Sequence, residues 1–190
     1  MKKHVLFIHS AGPQGPHAGS GDLVAYLQDR LGPRYPLIQP TMPDPENPRY
    51  EHWKTQIISE LSKIEGEIIL VGHSLGGSVL LKYLSEEPPC QLLVGVCIIA
   101  APFWGERGWK SRDFALRKNL SRLHRLPHLI LFHSRDDEVV PFSHLTYYAE
   151  AIPNARLCEL DDLGHLFTEG CPDLVVQIMK LTRISQLENV

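Results

Sequence analysis

The chain carries little that would tie it to nucleic acid, to a membrane or to a metal. Its four cysteines, Cys90, Cys97, Cys158 and Cys171, form no C-x-x-C pair and no ligand-like spacing. That excludes the common zinc and dithiol patterns and reads as reduced thiols of a cytoplasmic protein. With 19 Lys and Arg against 22 Asp and Glu, the formal charge is -3, which gives no basic surface for nucleic acid. Met1-Lys2-Lys3 opens like a signal segment, but only Val5-Leu6-Phe7-Ile8 follows. That run is too short for a signal core or a bilayer span and reads as a first strand. There is no G-x-G-x-x-G, P-loop, internal repeat or inter-domain linker, and neither a cofactor nor a metal is expected. What is present is ordinary: 190 residues, 43% hydrophobic and 22% charged, in the proportions of one globular domain over residues 1–190.

Short apolar runs alternate with helical patterns along the chain. Strands are expected at 4–9, 35–39, 67–71, 92–100, 128–132 and 155–160, the second weakened by Pro36 and so suited to an edge. Helices are expected between them. The first is capped by Ser20, with Leu23, Leu27 and Leu31 on its buried face and Gly32-Pro33 as its stop. The second starts at Asn47-Pro48 and buries Trp53, Ile57, Leu61 and Ile64. The third runs from Leu75 to Glu86 and is closed by Pro88-Pro89. The last two cover 143–151 and 172–184. Residues 102–127 are less regular, with Leu116, Leu120 and Leu123 able to form one helical face. Strand–helix alternation implies right-handed crossovers and a mostly parallel six-stranded sheet. In such sheets a site forms at the carboxyl ends of the strands, where strand order reverses.

The strongest signal is Ile68-Ile69-Leu70-Val71-Gly72-His73-Ser74-Leu75-Gly76-Gly77. An apolar strand runs into Gly-His-Ser-Leu-Gly and then into a helix. This is the setting in which a serine on a sharp turn presents its hydroxyl as a nucleophile, and Gly72 and Gly76 supply the small neighbours such a turn needs. Serine attacks only when a neighbouring base takes its proton. Of ten histidines, His165 in Leu163-Gly164-His165 is best placed, just after the sixth strand. His73 adjoins the serine, but neighbouring side chains on a turn diverge, so it is expected to pack beside the sheet. His9 reads as structural or supporting, and His4, His128 and His133 as satisfied strand histidines. The base needs a carboxylate to hold its tautomer. Ser134-Arg135-Asp136-Asp137-Glu138-Val139-Val140-Pro141 follows the fifth strand; Asp137 is favoured and Asp136 is the alternative, while Asp161 and Asp162 read as turn residues. Two N–H groups must meet the developing oxyanion. Leu75 N–H supplies one, and the loop His9-Ser10-Ala11-Gly12 the other, through Ala11. Phe103 and Trp104, at the carboxyl end of the fourth strand, are candidates for the wall of a substrate pocket.

At these residues the chain resembles the α/β-hydrolase superfamily. Gly72-His73-Ser74-Leu75-Gly76, Asp137 with Val140-Pro141, and Gly164-His165 match its nucleophile, acid and base in order. The likeness spans nearly the whole chain, in a minimal form with no strand before the first and no large cap. Met42-Pro43-Asp44-Pro45 with Trp53, and the Leu160-Asp161-Asp162-x-Gly-His run, are similar to the small serine hydrolases of the retinoblastoma-binding-protein type. Leu75-Gly76-Gly77 departs from that group and matches esterases and lipases. The resemblance implies a serine hydrolase acting on small-molecule esters or related acyl compounds, with residues 102–126 over the mouth of the site. It also implies a rival reading, a protein-binding partner built on a hydrolase fold.

Overall fold

The computed structural model describes residues 3–88 and 92–187, with side chains as far as Leu181. Met1, Lys2, Pro89 and Cys90, which enter the readings above, lie outside the described residues. Six strands alternate with five α-helices: β1 Lys3–Ile8, α1 Gly21–Leu31, β2 Leu37–Ile38, α2 Tyr50–Leu61, β3 Glu67–His73, α3 Leu75–Glu86, β4 Leu92–Ile99, β5 Leu129–Ser134, α4 Ser143–Ala151, β6 Arg156–Leu160 and α5 Pro172–Leu187. The sheet is wholly parallel, in the order β2-β1-β3-β4-β5-β6. The weak second strand is an edge, two residues long. Strand order reverses between β1 and β3, and the crevice at their carboxyl ends is where Ala11 and Ser74 emerge.

Both faces of the sheet are covered, and the side-chain period of two divides each strand between two cores. Val5 and Phe7 of β1, with Ile69 and Val71 of β3, face Leu23, Leu27, Leu174 and Ile178 of α1 and α5. Leu6, Ile8, Ile68 and Leu70 face Trp53, Ile57, Val79, Leu80 and Leu145 of α2, α3 and α4. Every residue of β3 is buried. So is α3 from Leu75 to Ser85, because the segment after β4 covers the side of α3 turned away from the sheet.

Three local expectations are corrected. The Ser20 hydroxyl does not cap α1; it is drawn inward to the site, as described below. The second helix starts at Tyr50, not at Asn47-Pro48. Asn47 N–H closes a turn onto Asp44 O, and the Tyr50 N–H is capped from a distance by Asp113 Oδ2 at 2.9 Å. No α-helix forms in 102–127, whose only helical piece is a single 3-10 turn at Leu123–Arg125.

That segment is held as a strap by its polar groups. Ser78 Oγ donates to Pro102 O at 2.7 Å and Lys82 Nζ to Asp113 O at 2.6 Å. Arg117 Nε reaches Glu86 Oε1 at 2.7 Å, while Tyr50 OH and Lys54 Nζ donate to Glu86 Oε2. Burial alone would raise the Glu86 carboxyl, but the Tyr50, Lys54 and Arg117 donors hold it at about 2. Glu86 ends α3, about 18 Å along the helix from Ser74 at 1.5 Å per residue. The start of the segment is therefore tied near the first turns of α3 through Pro102, while Arg117 fastens a later part to the far end of that helix.

Asp113→Ala should remove the cap of α2 and lower stability by about 1 kcal/mol. Urea unfolding followed by circular dichroism reads this, and an unchanged midpoint would mean the Tyr50 N–H finds water instead.

Candidate active site

Ser74 sits on the turn from β3 into α3 with φ 53° and ψ -122°, a left-handed conformation that is costly for a residue with a Cβ. Its N–H is held by Ile99 O at 2.8 Å. The turn can approach β1 only because residue 76 is glycine: a Cβ there would run into the carbonyls of Ile8 and His9. At Gly72 a Cβ would strike the backbone of Gly76 and Gly77 at under 3 Å. The strand–turn–helix pattern thus has a steric cause at each glycine.

The structure brings Ser74, His165 and Asp137 into one hydrogen-bonded line. Ser74 Oγ lies 3.0 Å from His165 Nε2, and His165 Nδ1 lies 2.8 Å from Asp137 Oδ2. Asp137 Oδ1 accepts the N–H groups of Val139 and Val140 at 2.9 and 2.7 Å. The Asp137 side chain is fully buried. Burial pushes its carboxyl up, but donors from His133, His165 and the Val140 N–H win and hold it well below the usual aspartate range. An ionised Asp137 can only accept, so Nδ1 of His165 carries the proton and Nε2 is free to accept from Ser74. Asp136 does a different job: it accepts from the Ser134 hydroxyl and the Gly164 N–H, and so stitches the β5 loop to the His165 loop. Asp161 pairs at the surface with Arg135 at 3.6 Å.

In the loop after β1, Ser10 N–H is committed to Ser20 Oγ and Gly12 N–H to Pro45 O. Among the described residues, Ala11 N–H has no protein partner. Leu75 N–H is the first donor of α3, a position that has no intrahelical carbonyl partner.

Two residues read as bystanders prove to be structural members of the site. His73 is fully buried; its Nε2 lies 2.8 Å from His165 O and its Nδ1 2.8 Å from Ser20 Oγ. A carbonyl can only accept, so Nε2 of His73 holds the proton and Ser20 donates to Nδ1. Ser10 N–H then closes the chain on Ser20 Oγ at 2.9 Å. A buried polar thread therefore joins the Ala11 loop, His73 and the backbone of His165. Burial, aided by the nearby His165, lowers His73 to about 3. The side chain next to a nucleophile does diverge from it, as expected, but it turns into this network. His133 is the second; it lies 3.1 Å from the Asp137 carboxylate. Neither has a local motif. The only hint is a histidine within apolar strand sequence, which needs a buried partner.

Phe103 and Trp104 are half-buried after β4. Phe103 N–H donates to His144 Nδ1 at 2.8 Å, and the ring meets Tyr147 and Tyr148 edge-on. Trp104 packs on Trp109 and Phe114. Among the described residues no cluster of three or more His, Cys, Asp or Glu is arranged to hold a metal ion, and Cys97, Cys158 and Cys171 are free.

A family model described as serine hydrolase matches residues 24–171. The chain belongs to the serine hydrolase family. At 27% identity over 190 residues, covering 96% of each chain, this hydrolase is similar to the YdeN protein of Bacillus subtilis (strain 168). The crystal structure of the B. subtilis ydeN gene product superimposes with a TM-score of 0.76 at 22% identity, over 95% of this chain and 99% of that one. A YdeN-like hydrolase from Pectobacterium atrosepticum does so at 0.69 and 16% identity, over 96% and 92%. The fold is that of the α/β-hydrolase superfamily, and no helix among the described residues is long and apolar enough to cross a membrane.

The buried histidines predict a pH dependence of stability. An unfolded histidine takes up a proton below about pH 6.5, whereas folded His73 resists until about 3. Unfolding therefore takes up a proton between these values, and stability falls as pH drops, by up to about 1.4 kcal/mol per pH unit for one such group. His9 and His144, lowered chiefly by burial, act with the same sign. His73→Gln keeps a donor for His165 O but cannot charge, so its urea-derived stability should fall less steeply between about pH 6 and 4. Equal slopes in the two proteins would count against a neutral buried His73.

Proposed function

We propose that this hydrolase cleaves carboxylic esters or related acyl compounds through a Ser74–His165–Asp137 triad and an acyl-enzyme. The observation that carries the reading is the 3.0 Å contact from Ser74 Oγ, on its left-handed turn, to His165 Nε2. Ser74 Oγ attacks the substrate carbonyl while His165 Nε2 takes its proton. Asp137 stabilises the imidazolium that forms, and the proton passes to the leaving oxygen. Leu75 N–H and the uncommitted Ala11 N–H meet the tetrahedral oxyanion, each neutral donor already held in place by backbone before charge develops. A water that loses its proton to His165 then releases the acid and restores Ser74. Phe103 and Trp104 form part of the acyl-binding wall, since they lie where the segment after β4 is still near the first turns of α3.

Ser74→Ala should fold as the wild type and lose p-nitrophenyl acetate hydrolysis by roughly four to six orders of magnitude, along with labelling by a fluorophosphonate probe. Near wild-type turnover would sink the assignment; a wild type that neither labels nor hydrolyses would favour a protein-binding role instead. Asp137→Asn should cost on the order of 10⁴ in rate, and Asp136→Asn far less, because Asp136 touches the loop and not the base. Parallel kinetics on the two decide between them.

Trp104→Ala should shift kcat/KM among short and medium p-nitrophenyl esters while the circular dichroism spectrum is retained. An unaltered profile in a folded variant would leave Trp104 as packing for Trp109 and Phe114 alone.

A further inference from the structure

The carboxylate that holds His165 is gripped by a second histidine. His133, the fifth residue of β5, is 1% exposed. Its Nε2 lies 2.9 Å from Val140 O and 3.1 Å from Asp137 Oδ2. The carbonyl can only accept, so Nε2 carries a proton whatever the charge on the ring, and that proton is shared between carbonyl and carboxylate. The oxygen it reaches is Oδ2, the same one that accepts from His165 Nδ1 at 2.8 Å. The other oxygen is taken by two backbone N–H groups. Asp137 is therefore held from three directions: the loop clamps Oδ1, His133 clamps Oδ2 from the sheet, and His165 takes what remains.

The ring itself has little freedom. Phe142 meets it edge-on at 5.6 Å, and the Arg135 guanidinium lies 4.8 Å over the other ring of that pair. The titratable and charged groups around the Asp137 carboxylate are His133 on β5, Glu138 on the loop that follows, and His144 on α4. His165 and, behind it, His73 approach from the other side, with Glu138 accepting the His165 N–H. In this group only His133 and His165 place a side-chain N–H on Asp137.

We propose that His133 is a positioning residue for the triad, its Nε2–H fixing the Asp137 oxygen that orients His165. The chain from the sheet to the nucleophile then has four members, His133, Asp137, His165 and Ser74, anchored at one end by strand β5 and at the other by the turn into α3. The inference rests on the triad reading above. Oδ2 divides its charge between two donors, so His133 moderates how strongly Asp137 draws the His165 proton.

The test is His133→Leu, which removes the donor, beside His133→Gln, whose carboxamide N–H can occupy the place of Nε2. For His133→Leu we expect kcat for p-nitrophenyl acetate to fall roughly 10- to 100-fold with KM little changed, as for a misplaced catalytic group. The acidic limb of the kcat/KM profile should move to higher pH, because the released Oδ2 pairs with His165 alone. His133→Gln should restore most of both. A folded His133→Leu with the wild-type limb and kcat, or a His133→Gln no better than His133→Leu, overturns the proposal. Should His133→Leu fail to fold, the wild type decides by 15N-histidine NMR. The His133 Nε2–H proton, shared with a carboxylate, should resonate downfield of the His73 Nε2–H proton, which faces only a carbonyl; the reverse order overturns the role. Ser74→Ala separates the two levels: retained activity there sinks the triad itself, whereas lost activity there beside an unperturbed His133→Leu sinks only the part given to His133.

Discussion

The turn from β3 into α3 is the constraint on which the rest of the structure depends. It holds Ser74 at positive φ, at a cost of order 1–3 kcal/mol for a residue with a Cβ. The surroundings over-determine it. Ile99 O fixes the Ser74 N–H, and the backbone of Gly76 rests on the carbonyls that end β1. Neighbouring strands and helix are thereby set at one distance, and that distance is also the separation between the Ala11 loop and the start of α3. The steric demand of one turn thus decides both the central packing of β1 and β3 and the spacing of the two N–H groups assigned to the oxyanion.

A polar network makes the loops around that turn behave as a unit. Ser10, Ser20, His73 and the carbonyl of His165 are linked in series inside the protein, where an unmade hydrogen bond is expensive. Asp136 and Ser134 tie the β5 loop to the same His165 segment through the Gly164 and Leu163 N–H groups. His165 is consequently held by its backbone from two sides and by its ring from a third. The fold itself therefore holds Ser74 Oγ and His165 Nε2 in contact, and groups positioned in advance spare the entropy of bringing them together.

The strap after β4 stabilises a different part of the molecule. Glu86, Asp113 and Lys82 fasten it across the ends of α2 and α3, and Lys82 Nζ also lies 4.1 Å from the centre of the Tyr50 ring. Its basic residues are thus in part consumed by structural pairing: Arg117 goes to Glu86 and Arg107 to Glu150. Covering the outer side of α3 in this way accounts for the burial of every residue from Leu75 to Ser85, including Ser78 and Lys82, whose polar groups bond to the strap.

Much of this was legible in the residues in order. Continuous apolar runs can lie only between two helical layers, which gave the parallel sheet, and a serine between glycines at a strand–helix junction has one sterically sensible geometry. Ser74, Asp137 and His165 each sit just past a strand, so the topology alone carries them to one edge. The chain by itself could not say that Asp113 would cap Tyr50 across 63 residues, or that Leu116, Leu120 and Leu123 would join the core that α3 shares without forming an α-helix. Nor could it tell the buried roles of Ser20, His73 and His133 from those of ordinary cap and strand residues. Local pattern encodes which side of an element is apolar and where a turn must be small. The partner of a buried polar atom is set by which distant segments the folded sheet brings within about 3 Å, and that was decided only when β1, β3, β4 and β5 were folded side by side.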